Sequence, residues 1–320
     1  MSDAFFWILI FILSLAVLIK ASDYFTQSAE QIGLNLGIPQ YVIGVTIVSI
    51  GTSLPELISS VLAVTKGVPE VVAGNVVGSN IANIFLILAC GAIFSKQRLR
   101  VEKSLLPVDL PLLIGSALFL GITVYDDHEF TFGEAVLFLI ANVVFIAYNV
   151  FENRQRGNRK VDELNQRKTF NGEIGKQLLI LVISGVFIYF GAKYTIDSII
   201  KISEILQIAT GVIAVTAVAL GTSLPELAVT YSAARKGNGG IVIGNVLGSN
   251  VFNTFMVMGI PGLMATLPFP DSLINPGLII MIVATALFLV VTVDREISRW
   301  EGMFFVLIYI YFIGKSFGLM

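Results

Sequence analysis

Charge is what this sequence has least of. Only 13% of its 320 residues are charged, while 56% are hydrophobic; a soluble domain carries about 25% charged residues. A chain this poor in charge cannot cover a globular surface with polar groups. The lipid bilayer is the solvent that makes the composition reasonable. Cysteine is almost absent too. Cys90 stands alone in an apolar run, which excludes an intrachain disulfide and leaves the redox compartment unread. His128 is the single histidine. A net charge of −2 argues against a nucleic-acid partner. The first apolar run, 4–19, lacks both a basic leader and a small-residue cleavage site, so it reads as a retained first span.

Long apolar runs are plentiful instead. Windows of about 20 apolar residues fall at roughly 4–25, 40–65, 70–94, 105–124, 132–151, 177–198, 210–234, 240–267, 276–293 and 302–318. Backbone groups in lipid must be satisfied internally, which leaves helices or closed barrels. Barrel strands would alternate over about 10 residues, and these runs do not alternate. The expected fold is an all-α membrane protein with ten transmembrane helices.

Loop charge orients them. Lys96, Arg98, Arg100 and Lys103, then Arg154, Arg156, Arg159, Lys160, Arg167, Lys168 and Lys176, then Arg235 and Lys236, then Arg295 and Arg299 all fall on one side. The other side carries Asp3, the 126–129 cluster with Glu134, and Asp271. Basic loops stay in the cytoplasm, so both termini are expected outside, in the cell membrane. The 126–129 group, Asp-Asp-His-Glu, could be mistaken for a metal or acid–base cluster, but adjacent residues on an exterior loop are usually just solvated. An enzyme reading has little else behind it.

The most informative feature is an internal repeat. Residues 42–57 read VIGVTIVSIGTSLPEL and residues 212–227 read VIAVTAVALGTSLPEL. Residues 74–83 read GNVVGSNIAN and residues 244–253 read GNVLGSNVFN. Both pairs are offset by 170 positions without a gap. Five crossings separate the copies, an odd number, so the two run in opposite directions across the membrane. That is an inverted-topology repeat, an arrangement secondary transporters use for alternating access. The division reads as a first five-helix repeat over 1–151, with its motif at about 42–84. A polar cytoplasmic linker follows over 152–176. A second five-helix repeat spans 177–320, with its motif at about 212–254.

The repeats carry the chemistry. Glu56 and Glu226 sit mid-span, where a charge costs at least about 2.5–3.5 kcal/mol. No lysine or arginine lies at comparable depth in spans 2, 3, 7 or 8, so a bound cation is the natural counter-charge. A protonated glutamate bonded between helices is the plainer reading, weakened by the recurrence. Gly51 with Pro55, and Gly221 with Pro225, are expected to interrupt their helices. That would free carbonyls at Ser49–Thr52 and Ala219–Thr222 to face a cavity. Thr52, Ser53, Thr222 and Ser223 add hydroxyls that can cap the half-helix starting at each proline. Asn75, Ser79 and Asn83 form one helical stripe, repeated by Asn245, Ser249 and Asn253. Gly74, Gly78, Gly244 and Gly248 have the spacing of close helix crossings. Ser79, Ser249, Asn83 and Asn253 read as cation ligands. Asn75, Asn80, Asn245 and Asn250 read at least as well as interhelical glue. Every candidate ligand is an oxygen, which suits calcium, magnesium or alkali ions and not zinc or copper. Two carboxylates match one divalent ion, or with neutral oxygens two or three sodium ions.

GTSLPEL with GNVVGSN, then GTSLPEL with GNVLGSN, resembles the two α-repeats of the sodium/calcium exchanger family, within the calcium/cation antiporters. The ten-span, 320-residue layout is similar to its compact prokaryotic members over the whole chain. The resemblance implies two inverted sets of five helices, an ion core from spans 2, 3, 7 and 8, and spans 1 and 6 sliding against it. It maps ligands onto Glu56, Thr52, Ser53, Ser79 and Asn83, and onto Glu226, Thr222, Ser223, Ser249 and Asn253, with carbonyls near Ser49 and Ala219. The implied substrates are calcium and sodium, with no cofactor and no obligate protein partner. Some relatives, potassium-dependent ones among them, carry aspartate where this chain has Asn253, which argues against potassium co-transport. Two alternatives stay open: a proton/calcium antiporter, whose glutamates sit in a GNxxE-type context lacking here, and a cation channel.

Overall fold

The computed structural model describes residues 2–36, 40–101, 109–164, 174–205, 223–271 and 273–316. Among them, helical segments that run on without a break join into ten rods. These are α1 (Ser2–Asn35), α2 (Gln40–Thr65), α3 (Glu70–Phe94), α4 (Asp109–Thr123), α5 (Phe132–Leu164), α6 (Ile174–Ile205), α7 (Leu224–Lys236), α8 (Gly239–Gly262), α9 (Leu273–Thr292) and α10 (Arg299–Ser316). Seven of these rods are long and apolar enough to cross a membrane. A helix rises 1.5 Å per residue and the hydrocarbon layer is about 30 Å thick. The chain is therefore an integral, helical membrane protein.

Burial sorts the rods into a centre and a periphery. In α8, 94% of the most apolar stretch is buried, against 17% in α6 and 22% in α1. Leucine adds no packing drive between helices in lipid, so contact is won by small residues that let backbones meet. Gly44 of α2 and Gly244 of α8 do this. A Cβ at Gly244 would collide with the Tyr41 carbonyl oxygen, and one at Gly44 would lie 2.7 Å from that of Ile241. Gly248 abuts Val45 and Ser49 as closely. Nothing among the described residues comes within 4 Å of a Cβ at Gly74 or Gly78. Their counterpart partners, 211–219, lie outside the described residues.

The second half of each motif helix is gripped in the same way. Gly302 of α10 packs on the Ala89 carbonyl of α3, and Gly259 of α8 packs on Leu139 of α5. Phe85 meets Phe305 edge-on at 5.4 Å, and Phe255 meets Phe138 edge-on at 5.6 Å. Such pairs add about 0.5–1.5 kcal/mol beyond their buried area. At one end of the bundle β1 (Leu99–Arg100) pairs with β4 (Glu296–Ile297); β2 (Glu129–Phe130) pairs with β3 (Leu267–Pro268) in a second two-residue ribbon.

Three expectations are corrected. Gly51 and Pro55 do not interrupt α2, which is α-helical from Ser49 through Thr65 with Pro55 inside it. Proline removes one donor, leaving the Gly51 carbonyl without its usual N–H, but membrane helices absorb such a loss. Gly51 instead seats Phe25 of α1: a Cβ there would lie 2.7 Å from Phe25 Cζ. The irregular turn lies upstream, a π segment at Gly44–Val48. Second, the start of the 152–176 linker is helix to Leu164, because its run of Glu, Arg, Gln and Lys favours helix. Third, span 8 stops at Gly262, giving way to the β3 ribbon. Glycines close both motif helices: Gly67 (φ 77°) after α2 and Gly237 (φ 81°) after α7, which lets the chain turn at once into α3 and α8.

Gly244→Ala should cost about 1–3 kcal/mol by overpacking the α2–α8 crossing. Gly115→Ala, where nothing lies within 4 Å, should cost nothing measurable. Thermal unfolding in detergent reads both; equal midpoints would contradict the crossing.

Candidate functional site

The repeat motifs converge at the centre. Glu56 lies in the buried stretch of α2, one residue past Pro55. Glu226 sits in the first turn of α7, behind Ser223 at the N-cap position and Pro225 in the first turn. That turn presents unpaired N–H groups and a positive dipole end to a carboxylate. Both glutamates are 1% exposed. Ser49, Thr52, Ser53, Ser79, Asn83, Ser223, Ser249 and Asn253 are buried as well. Thr222 and Ala219, with Gly221, lie outside the described residues.

Side-chain contacts tie one motif to the other. Ser53 Oγ donates to Glu226 Oε1 at 2.8 Å. Thr52 Oγ1 donates to Asn245 Oδ1 at 3.3 Å. Ser223 Oγ and Ser79 Oγ are 3.4 Å apart. Ser223 therefore does not cap α7 with its side chain; its hydroxyl is turned across to α3. The Ser49 hydroxyl is turned away, onto the Val45 carbonyl at 2.6 Å, while its own carbonyl lies 3.3 Å from Thr52 Oγ1, as an alternative acceptor for the proton that faces Asn245.

The asparagines divide into two kinds. Asn75 Nδ2 donates to Ser60 Oγ at 3.0 Å, and Asn245 Nδ2 donates to Thr230 Oγ1 at 3.0 Å. Each thus fastens a second-motif helix to the hydroxyl one turn past the glutamate of the same repeat. Asn80 Nδ2 reaches Thr254 Oγ1 at 3.0 Å, and Asn250 Nδ2 binds its own helix at Val246. Asn83 and Asn253 are different. Both are 1% exposed, and among the described residues neither the Nδ2 nor the Oδ1 of either has a hydrogen-bond partner. Ser249 Oγ and Glu226 Oε2 are likewise buried without one. A buried polar atom left unsatisfied costs about 1–3 kcal/mol, and native structures keep few. Asn83 and Asn253 each also open a π turn, Asn83–Leu88 and Asn253–Val257, an irregularity found frequently at functional sites.

The chemistry follows from this inventory. Glu226 meets no lysine or arginine within 4.0 Å among the described residues. No group of three histidine, cysteine or acidic side chains occurs among them either. A cation held here must draw on hydroxyl, amide and carbonyl oxygens beside the carboxylates, as hard cations do. Reading the sequence missed the Ser60 and Thr230 anchors. Their signal was present: two hydroxyl residues at the same 170 offset, each four after its glutamate, and so on its face of the helix.

The family described as sodium/calcium exchanger protein matches residues 6–151 and 176–318. Sodium/calcium exchanger MaX1 of Methanosarcina acetivorans is 35% identical, over 95% of this chain and 97% of its own. An uncharacterised membrane protein of Methanocaldococcus jannaschii is 32% identical, over 94% of each chain. A solved structure of the sodium-calcium exchanger NCX_Mj, soaked without sodium or calcium, superposes with a TM-score of 0.83 and 30% identity. It covers 97% of this chain and 98% of that one.

The two kinds of asparagine should separate on replacement by leucine, which has similar volume. Asn245→Leu strands the Thr230 and Thr52 hydroxyls and should cost about 1–3 kcal/mol. Asn253→Leu removes atoms that had no partner and should be neutral or stabilising in ion-free buffer. Equal losses of unfolding temperature would overturn the division.

Proposed function

This chain belongs to the sodium/calcium exchanger family, and on that premise we propose that it exchanges sodium for calcium by alternating access through one shared, all-oxygen site. The observation that carries the reading is the pair of buried glutamates 170 residues apart, one of them bonded across the repeat boundary by Ser53 at 2.8 Å.

The site comprises Glu56, Thr52, Ser53, Ser79 and Asn83 with the carbonyl of Ser49, and Glu226, Thr222, Ser223, Ser249 and Asn253 with that of Ala219. Calcium takes 6–8 oxygens at about 2.3–2.6 Å, and two carboxylates balance its charge. Its approach would turn the Ser53 oxygen from donor toward Glu226 to ligand of the ion. Sodium ions would use the same oxygens, so the site holds one filling or the other. That competition couples the two fluxes. An ion that makes no differential contact with the two access states could not drive the cycle.

The architecture is two inverted five-helix repeats, 1–151 and 177–320, joined by the 152–176 connection, which begins as a continuation of α5 to Leu164. The ten rods and the paired Phe85–Phe305 and Phe255–Phe138 contacts support it. So do the two ribbons, which join the connection α3–α4 to α9–α10 and α4–α5 to α8–α9, as ten crossings require. The basic loops face the cytoplasm and both termini lie outside, in the cell membrane. Transport needs no cofactor, only the two ions and the bilayer.

The test uses purified protein in sodium-loaded liposomes diluted into sodium-free medium with calcium outside. Calcium uptake should need the sodium gradient, and Glu226→Gln should weaken calcium by about 100-fold, roughly 2.8 kcal/mol. Uptake driven by a pH gradient and indifferent to sodium would replace sodium by protons. Absence of uptake under either gradient would sink the calcium reading.

A further inference from the structure

Outside the ion site, α1 carries two bound carboxylates, one held at the end of α7 and the other at the α7–α8 turn and the start of α2. Ser232 Oγ donates to Asp23 Oδ1 at 2.6 Å, and Lys236 Nζ lies 3.3 Å from that same oxygen. Lys236 Nζ also donates to the Asp23 carbonyl at 2.8 Å. Two turns further on, Glu30 Oε2 accepts from Asn238 Nδ2 at 2.8 Å and Glu30 Oε1 from Gln40 Nε2 at 2.9 Å. Gln40 and Asn238 are themselves 3.3 Å apart. The cluster clamps α1 to the end of α7, the α7–α8 turn and the start of α2. It is half-buried: the Lys236 side chain is 24% exposed and that of Asp23 36%.

The repeat makes the cluster informative. The 170 offset carries Ser14 to Ser184, Tyr24 to Tyr194 and Ser28 to Ser198, so it holds along α1 and α6. At the same offset Asp23 becomes Lys193, Glu30 becomes Ile200, Ser232 answers to Leu62, and Asn238 to Val68. Lys236 alone keeps its type, as Lys66. The mirror image of an aspartate–lysine pair is therefore two lysines, and the mirror image of the glutamate clamp has neither its carboxylate nor its amides, with Thr210 in place of Gln40. The packing is one-sided as well: α1 lies along α7, whereas among the described residues α6 touches α2 at few points.

We propose that Asp23 and Glu30, held by Ser232, Lys236, Asn238 and Gln40, form a latch on one side only, which biases the exchanger toward the access state closed at the α7–α8 turn. This rests on the alternating-access reading above, and with the basic loops inside, the latched state faces outward. Converting to the other state must release these hydrogen bonds. It gains nothing equivalent, because the positions that would come together in its place offer Lys193 to Lys66. The two states of an inverted repeat are equal in energy only if the halves are equal. Here the latch residues make them unequal without touching an ion ligand.

The test is a charge swap read by hydrogen–deuterium exchange of the full-length protein in lipid nanodiscs, without transported ions. Asp23→Lys and Lys236→Asp should each speed exchange across 233–240 by about tenfold, and the Asp23→Lys/Lys236→Asp double variant should return it to within about twofold of the parent. Single variants exchanging at the parent rate, or a double variant as fast as the singles, would overturn the latch. The milder Asp23→Asn adds a second readout in membrane vesicles of known orientation. Apparent calcium affinity should fall on the outer face and rise on the inner, whereas equal changes on both faces mean a merely structural contact and also overturn it. A parent that fails to exchange sodium for calcium would refute the proposed function, while the exchange rates would still judge the latch.

Discussion

Two carboxylates in the middle of a bilayer protein set the terms for everything around them. An ionised glutamate that far from water needs either a counter-charge or dense hydrogen bonding. Among the described residues of α2, α3, α7 and α8, lysines and arginines stand at helix ends, Lys66 after α2 and Arg235 with Lys236 closing α7. What the proposed site offers the carboxylates is instead a shell of short hydroxyl and amide side chains. Such a shell can work only if four helices approach closely enough for serine and asparagine to reach across. The Gly44–Gly244 crossing supplies that approach. The near-complete burial of α8 is the consequence.

Duplication solves the same problem twice, and the duplicated parts are structural as well as chemical. Asn75 with Ser60 and Asn245 with Thr230 set the spacing between each glutamate helix and its neighbour. The edge-on phenylalanine pairs hold the far half of each motif helix against a helix from the other half of the chain, α10 on α3 and α5 on α8. Neither half could complete its site alone, since Ser53 serves Glu226 and Thr52 serves Asn245. The repeat is therefore a requirement of the site and not only a record of how the chain arose.

The sequence made much of this legible, for a physical reason. Lipid forbids unsatisfied backbone, so apolar runs translate into helices with little ambiguity, and identical motifs at one offset must share an environment. The errors arose where a residue type has two uses. Pro55 and Gly51 were read as a break, yet a membrane helix tolerates one missing bond, and Gly51 is small because Phe25 lies on it. The charged stretch after residue 151 was read as linker, yet Glu, Arg and Lys are good helix formers in water. The π turns at Asn83 and Asn253 have no composition signal: whether a helix gains one residue depends on what its side chains meet. The same holds for the asparagines, where amides of one type serve as glue at 75 and 245 and lack any partner at 83 and 253.

Interfaces in this bundle differ in what they would lose if they slipped. Within the centre, backbone meets backbone at Gly44 and Gly244, and amides bond across helices; displacement there would break hydrogen bonds that no water replaces. Between α1 and α6 the contact is equally close, with Leu18 backbone 3.0 Å from a Cβ built on Gly191 and Thr195 Oγ1 donating to Ser14 Oγ at 2.9 Å, so these two move as one body if they move at all. Between that pair and the centre the surface is different. Phe25 is pinched between Gly51 of α2 and Gly185 of α6, an aromatic ring over two glycines that offer neither knob nor polar group. An apolar ring can travel across such a surface at little cost, because lipid tails are as apolar as what it leaves. At Phe25 the boundary between the two bodies therefore offers little resistance. Polar resistance enters where Asp23 meets the end of α7 and Glu30 the α7–α8 turn.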